Sequence, residues 1–499
     1  MKIKLQLIGY FISFPLLLLA QEQEQKSKKL LIEGYVQAQY QKFFVSDTVG
    51  GYTKYLADFS GGKFVNHFTT NRFTVRRGRL NIKHIGENHK AVFSIDISER
   101  GIGIKDLYLD YTEPFINSIT FTAGVFNRPF GREIDLSSSV RETPERSRIV
   151  QTLFPNERDL GFGVKFQMPE EKFLSFLNFK AALVNGNGTA YETDNYKDGI
   201  ARIGIDFNKP EQKIKFSLGF SIYRGAISHI YEPVDTVSSN ATTKYYIYSF
   251  ENVTDTTERT KMGFVLDSAA TKATGTMGGK VKRTYQGVDA ELSVKSPFGK
   301  LTIRGEYIWG TQPAEVAYKD VEQEYIIHNG MNTYSPTGPF IGVSWPMYDQ
   351  PQPYNPVSVG PVNKFHHTFI RKFNGGYLYF IQELFETKHQ VVFKYDWYDP
   401  NSEVEGKEIS YDEDLYLNDP TYVKPYLSVA DVKFETFGVG FNYFVNDNIK
   451  VCLYYEHVQN EIVDIKPYAG DIRLGRMPAP GFNKDIKDDV FTLRFQYKF

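Results

Sequence analysis

Between Lys29 and Phe499 apolar and polar residues alternate with a period of two, segment after segment. That period belongs to strands with one face in an apolar medium and the other in water, and no comparable helical periodicity competes with it. The clearest case sets Ile214, Phe216, Leu218, Phe220 and Ile222 against Lys213, Lys215, Ser217, Gly219 and Ser221. The last segment repeats it, with Phe491, Leu493, Phe495, Tyr497 and Phe499 against Thr492, Arg494, Gln496 and Lys498.

Sixteen segments follow this rule: 29–44, 69–85, 90–98, 104–112, 119–125, 160–167, 174–184, 199–207, 213–223, 283–294, 299–308, 376–384, 388–398, 434–444, 449–457 and 489–499. Apart from the pair 99–103 and 113–118, the connections between them run long, then short, along the whole chain. Short turns on one side, long loops on the other, an even strand number and alternating faces are the signature of a transmembrane barrel. The expected fold is therefore all-β: a sixteen-stranded antiparallel transmembrane β-barrel with both termini on the periplasmic side. A soluble β-sandwich also alternates, but it has no reason to alternate its loop lengths. Nor does it need aromatics at strand ends such as Tyr40, Phe43, Phe44, Tyr111, Tyr223, Trp309, Trp397 and Tyr398, which read as interfacial girdles.

Composition closes other routes. Lys plus Arg (58) balances Asp plus Glu (59), so there is no basic footprint for nucleic acid. Charged residues interrupt every apolar stretch, which excludes a bundle of membrane-spanning helices. Lys2 and Lys4, the apolar run 7–19 and Ala20 read as a secretory signal over 1–20. A short periplasmic tail, 21–28, then leads into a barrel over 29–499. Cys452 is the only cysteine, so no internal disulfide forms, and no cysteine follows the signal for lipid attachment.

On this register the lumen receives fourteen basic side chains against ten acidic ones, a modest lean toward anions. The second strand concentrates it in Arg72, Arg76, Arg77 and Arg79. Strict alternation would leave Arg77 and Arg79 on the lipid face beside Phe73 and Val75. A bulge near Arg76 to Gly78 flips the phase and brings the arginines inward. They either form a ladder that grips anion oxygens in forked hydrogen bonds or pair with lumen carboxylates to stiffen the wall. The connection 126–159 holds six arginines, no lysine and six acids, together with Ser137, Ser138 and Ser139. Folded inward as the third long loop, it would form the constriction, with Arg128, Arg132, Ser138, Ser139, Arg141 and Arg146 meeting the solute.

The stretches G-V-F-N-R-P-F-G (124–131), S-S-S-V-R-E-T-P-E-R-S (137–147) and E-R-D-L-G-F-G (157–163) resemble the phosphate-selective porin O and P family. V-R-R-G-R-L (75–80) and L-V-N-G-N-G (183–188) extend the resemblance in the same order. It implies a homotrimeric outer-membrane porin whose inward loop and arginine ladder bind phosphate-like anions. Ser138, Ser139 and Arg146 are the matching loop positions, and Arg76 and Arg77 the matching wall positions. Phe499 is similar to the terminal signature read by the outer-membrane assembly machinery. Two features depart from the family: the loop lacks lysine, and the outer loops 224–282 and 309–375 are long. In the alternative reading those loops engage a surface partner and the barrel is only their anchor.

No cofactor, metal site or catalytic centre is expected. G-T-M-G-G-K (275–280) is too short for a phosphate-binding loop and lacks the Ser or Thr after its lysine. His366 and His367 have no partner ligands at diagnostic spacing. No Ser, His and Asp set assembles from spacing, although an outer-membrane hydrolase stays open as a third reading.

Overall fold

An isolated sheet exposes two unpaired edges, which hydrocarbon does not tolerate, and this chain removes both by joining its first strand to its last. In the computed structural model Tyr35 to Val45 run antiparallel to Lys498 to Asp488, and Gly34 and Phe499 exchange backbone hydrogen bonds of 3.0 and 2.9 Å. The structure describes residues 29–45, 71–98, 101–155, 157–189, 192, 195–207, 213–229, 247–254, 260–266, 279–315, 368–385, 387–408, 431–463, 484–485 and 488–499. The expected signal and tail, residues 69 and 70 of the second expected segment, His366 and His367, and much of both long outer loops lie outside them.

The strands are β1 (Lys29–Val45), β2 (Asn71–Ile85), β3 (His89–Ser98), β4 (Gly101–Thr112), β5 (Ile119–Asn127), β6 (Arg158–Gln167), β7 (Leu177–Val184), β8 (Asp198–Phe207), β9 (Ile214–His229), β10 (Ile247–Thr254), β11 (Thr260–Leu266), β12 (Gly279–Ser296), β13 (Gly299–Glu315), β14 (Thr368–Glu383), β15 (His389–Asp399), β16 (Phe434–Phe444), β17 (Ile449–Asn460) and β18 (Asp488–Lys498). All but β10 and β11 make a closed sixteen-stranded antiparallel wall, with β9 joined directly to β12. β10 and β11 pair with each other, and β10 runs parallel to the first residues of β14.

Along each wall strand the two faces differ as the alternation requires. Phe73, Val75, Leu218, Phe220, Phe393 and Phe495 are exposed on the outer face, while Gln37, Gln39, Arg77, Ser217, Ser221 and Arg494 are buried on the inner one. Among the described residues the pairing slips by one residue at two places. On β2, Gln37 faces Arg77 and Ala38 faces Val75, so Arg76 is the additional residue. On β4, Ser94 faces Asp106 and Ile95 faces Ile104, which leaves Lys105 over.

Candidate functional site

Irregular backbone inside a barrel has no ladder to satisfy its amides and carbonyls, so partners must come from the wall. Residues 128–157, between β5 and β6, are held in this way. Wall side chains donate to loop carbonyls: Gln37 to Ser138 at 2.9 Å, Gln496 to Ser139 at 2.8 Å, Lys450 to Arg141 at 2.8 Å, Asn442 to Glu142 at 2.8 Å and Arg494 to Pro144 at 2.7 Å. Wall acceptors take loop amides, with Ser221 receiving Gly131 at 2.9 Å and Asp396 receiving Arg148 at 3.1 Å. The segment therefore lies within the lumen and touches strands on every side of it.

Its two halves attach by different chemistry. A six-residue helix, α1 (Arg148–Leu153), buries Ile149, Val150 and Leu153, which with Phe130 and Phe154 cluster with Tyr223, Tyr285, Ile308, Phe373 and Tyr398 of the wall, so Tyr223 and Tyr398 face the loop rather than the interfacial girdles. This apolar contact fastens the loop to the β9–β15 side. Gly131 makes the entry possible: its φ is +60°, and a Cβ there would collide with the Glu306 carboxylate, which accepts from the Arg132 and Glu133 amides at 3.2 and 3.3 Å.

The opposite side is ionic. Glu145 projects from the loop toward β1, β2 and β18 and receives Arg76 at 2.9 Å, Arg77 at 2.9 Å and Arg494 at 2.9 Å, with Arg141 at 3.9 Å. Four guanidinium groups thus share one carboxylate, and all but Arg76 are almost fully buried. Burial alone would raise the Glu145 carboxyl, but the charges of Arg76, Arg77, Arg494 and Arg141 hold it well below the usual range. Burial, with the neighbouring Arg146 and Arg77 charges, brings Arg141 down to about 10. Arg141 gives Nη2 to the Pro144 carbonyl at 2.8 Å, and its buried Nη1 has no hydrogen-bond partner among the described residues.

The other expected site residues fall around this group rather than in it. Ser138 Oγ lies 2.5 Å from the Tyr35 hydroxyl, whereas Ser139 Oγ stays within the loop, 3.0 Å from Ser137. Arg72 reaches Gln41 at 3.0 Å, and Arg79 reaches Asp96 at 3.0 Å. Arg128 is sealed against Asp159 at 2.9 Å and Arg132 against Glu291 at 3.0 Å. Arg146 pairs with Glu157 and donates to the Glu133 carbonyl at 2.9 Å, so it ties the loop to itself. Of ten expected residues, Arg76, Arg77 and Arg141 meet at one carboxylate, with Ser138 nearby.

Sequence reasoning assigned Arg494 to the lumen but not to the site, and it gave Glu145 no role as the hub. It also passed over Lys105, whose ammonium sits 3.1 Å from Glu157, and Lys90, 3.0 Å from Asp110. The signal for Lys105 was available: I-K-D breaks the alternation of β4 as V-R-R breaks that of β2.

The family model described as phosphate-selective porin O and P matches residues 49–200, which include β2, the loop and β6. Over that span, about a third of its length, the chain is similar to this family. The closed barrel already described lies in the bacterial outer membrane. Its similar solved structures are distant. They include the outer membrane channel DcaP of Acinetobacter baumannii, with 12% identity over 96% of this chain and 99% of that one and a TM-score of 0.45. Salmonella typhi OmpF in complex with daunomycin gives 10%, 96%, 100% and 0.46 in the same order. The anion-selective porin from Comamonas acidovorans gives 10%, 95%, 100% and 0.43. No curated protein matches the sequence.

Proposed function

We propose that this porin is an anion-preferring channel in which residues 126–159 form the constriction and small oxyanions such as phosphate pause at Arg76, Arg77, Arg141 and Arg494. One observation carries the reading: four buried or half-buried guanidiniums share the single carboxylate of Glu145, and one of them keeps an unpartnered donor. An uncompensated buried cation is costly unless something anionic visits it, and a guanidinium offers an oxyanion two parallel hydrogen bonds. Arg72, Arg79, Arg128, Arg132, Ser138, Ser139 and Arg146 support the site by fixing the wall and the loop around it. The homotrimer implied by the family resemblance is part of the proposal, as is barrel insertion by the assembly machinery.

The test is electrical. In a planar bilayer under a chloride gradient, the reversal potential should have the sign of an anion-selective pore, and added inorganic phosphate should reduce the chloride current. Arg141→Ala should weaken that block. A cation-selective reversal potential removes the anion reading, and an unchanged block in Arg141→Ala removes this cluster as the phosphate site.

A further inference from the structure

The outer face of the barrel carries a second group of cations that the channel does not use. On β9 the outward residues Ile214, Phe216, Leu218, Phe220 and Ile222 are all exposed and apolar. They span eight residue steps, about 26 Å along the strand at roughly 3.3 Å per residue. At a strand tilt of about 40° this is roughly 20 Å of height, close to the apolar band of an outer-membrane barrel. The next outward residue is Arg224. On the neighbouring strand β12, Thr284 faces Arg224 and Lys282 faces Ala226, so Arg224 and Lys282 are diagonal neighbours on one face, about 7–8 Å apart. Both are exposed, while Tyr223, Val281 and Arg283 between them point inward and are buried.

Two further features make this a shelf at the membrane boundary. Thr284 Oγ1 lies 2.8 Å from Thr311 Oγ1 on β13, which sets a line of hydroxyls beside the cations. One step nearer the membrane, Trp309 stacks with Tyr307 at 5.4 Å and Tyr307 with Trp397 at 6.1 Å, an aromatic belt at headgroup depth. On the far side of the shelf Lys372, opposite Thr311, has a carboxylate partner in Glu403. Among the described residues neither Arg224 nor Lys282 has one. Two uncompensated cations directly above a lipid-facing band are complementary to one abundant chemistry at that depth, the phosphate of a lipid headgroup.

We infer that Arg224 and Lys282, with Thr284 and Thr311 beside them, bind the phosphate-bearing headgroup of an outer-leaflet lipid. The site is separate from the lumen and does not depend on what the channel carries.

Trp309 and Trp397 lie in the aromatic belt beneath it and report on it directly. In a Trp345→Phe background, the full chain is reconstituted into phosphatidylcholine vesicles containing a minor fraction of phosphatidic acid, with bromine on the chains of one lipid or the other. Two cations should enrich the phosphate lipid locally by roughly ten-fold or more, so brominated phosphatidic acid should quench tryptophan fluorescence well beyond its bulk fraction. Arg224→Gln and Lys282→Gln, each alone, should reduce the excess, and the pair should abolish it. Lys372→Gln should leave it in place. Unchanged chloride conductance shows that each variant has folded, and the single variants stand alone if the pair does not assemble. Quenching in proportion to bulk composition, or an excess indifferent to both residues, overturns the inference. So does displacement by inorganic phosphate at matched ionic strength, which would make the ligand a free anion rather than a lipid.

Discussion

Arg76 and Lys105 occupy the same kind of place on different strands: each is the additional residue at a slip in pairing, β2 against β1 and β4 against β3. An extra residue on a strand breaks the inside-outside alternation once and restores it afterwards. The apolar residues on either side, Val75 and Ile104, keep their outward faces, and the lumen gains one cation at each slip. Both cations end on loop carboxylates, Arg76 on Glu145 at 2.9 Å and Lys105 on Glu157 at 3.1 Å.

Deleting Arg76 should therefore be tolerated. Without it, Val75 outside is followed by Arg77 inside, and β2 becomes a regular strand in the same register. The variant is expected to assemble into a barrel with unchanged heat-modified mobility on a gel and to show weaker anion selectivity. Failure to assemble would mean that the slip itself, not only its side chain, holds the wall together.

Glu145→Gln should have two opposed effects. Removing the charge leaves Arg77, Arg141 and Arg494 buried without their counter-ion, a loss of about 3–5 kcal/mol for a broken buried pair. The midpoint of unfolding in urea should fall accordingly. In channels that remain folded the pore is more positive, so the chloride-to-potassium permeability ratio should rise.

Gly131→Ala tests the base of the loop. The φ of +60° alone costs a residue with a Cβ roughly 1–3 kcal/mol, and the methyl group also meets the Glu306 carboxylate. The loop should come away from β13, and single-channel recordings should show larger and noisier conductance than the parent. A quiet trace of parental amplitude would count against a constricting loop.

The response to acid follows from Glu145 and Glu157. Burial opposes ionisation at both, but Arg76, Arg77 and Arg494 around the first and Arg146, Lys105 and Arg158 around the second hold them well below the ordinary carboxylate range. A carboxyl depressed on folding adds stability above its unfolded pKa of about 4.3 and loses it as the pH falls through the folded value. Reversal potential and conductance should therefore stay flat from pH 7 to about 5, with the loop loosening only in stronger acid. A titration of the reversal potential centred between pH 5 and 7 would show that some other group controls the pore.

The wall was legible because a lipid face and a water face impose the same period on every strand, and because loop length tracks the side of the membrane. Legibility failed where the inside is not wet. β14 begins at Thr368 rather than near residue 376, because inward Phe373 packs on Tyr285 and Tyr398 while Lys372 and Asn374 face outward, so apolar and polar residues exchange sides and the period is lost there. β10 and β11 were missed for a related reason: they lie outside the wall and need no continuous apolar face. At the site, the inward turn of the arginines on β2 could be deduced from a conflict of phase. Their partner could not. Glu145 is 69 residues from Arg76 and 349 from Arg494, and only closure of the barrel brings the three together.

That closure has a consequence for the order in which the molecule is made. The pair that completes the wall, β1 with β18, is also the pair that clasps the inner segment: Gln37 holds the Ser138 carbonyl, Gln496 that of Ser139 and Arg494 that of Pro144. A finished cylinder offers no side entrance for a segment carrying α1 and its apolar side chains. The seam of this barrel is thus drawn shut around contents already in place, and the first and last strands find their register partly on the segment between them.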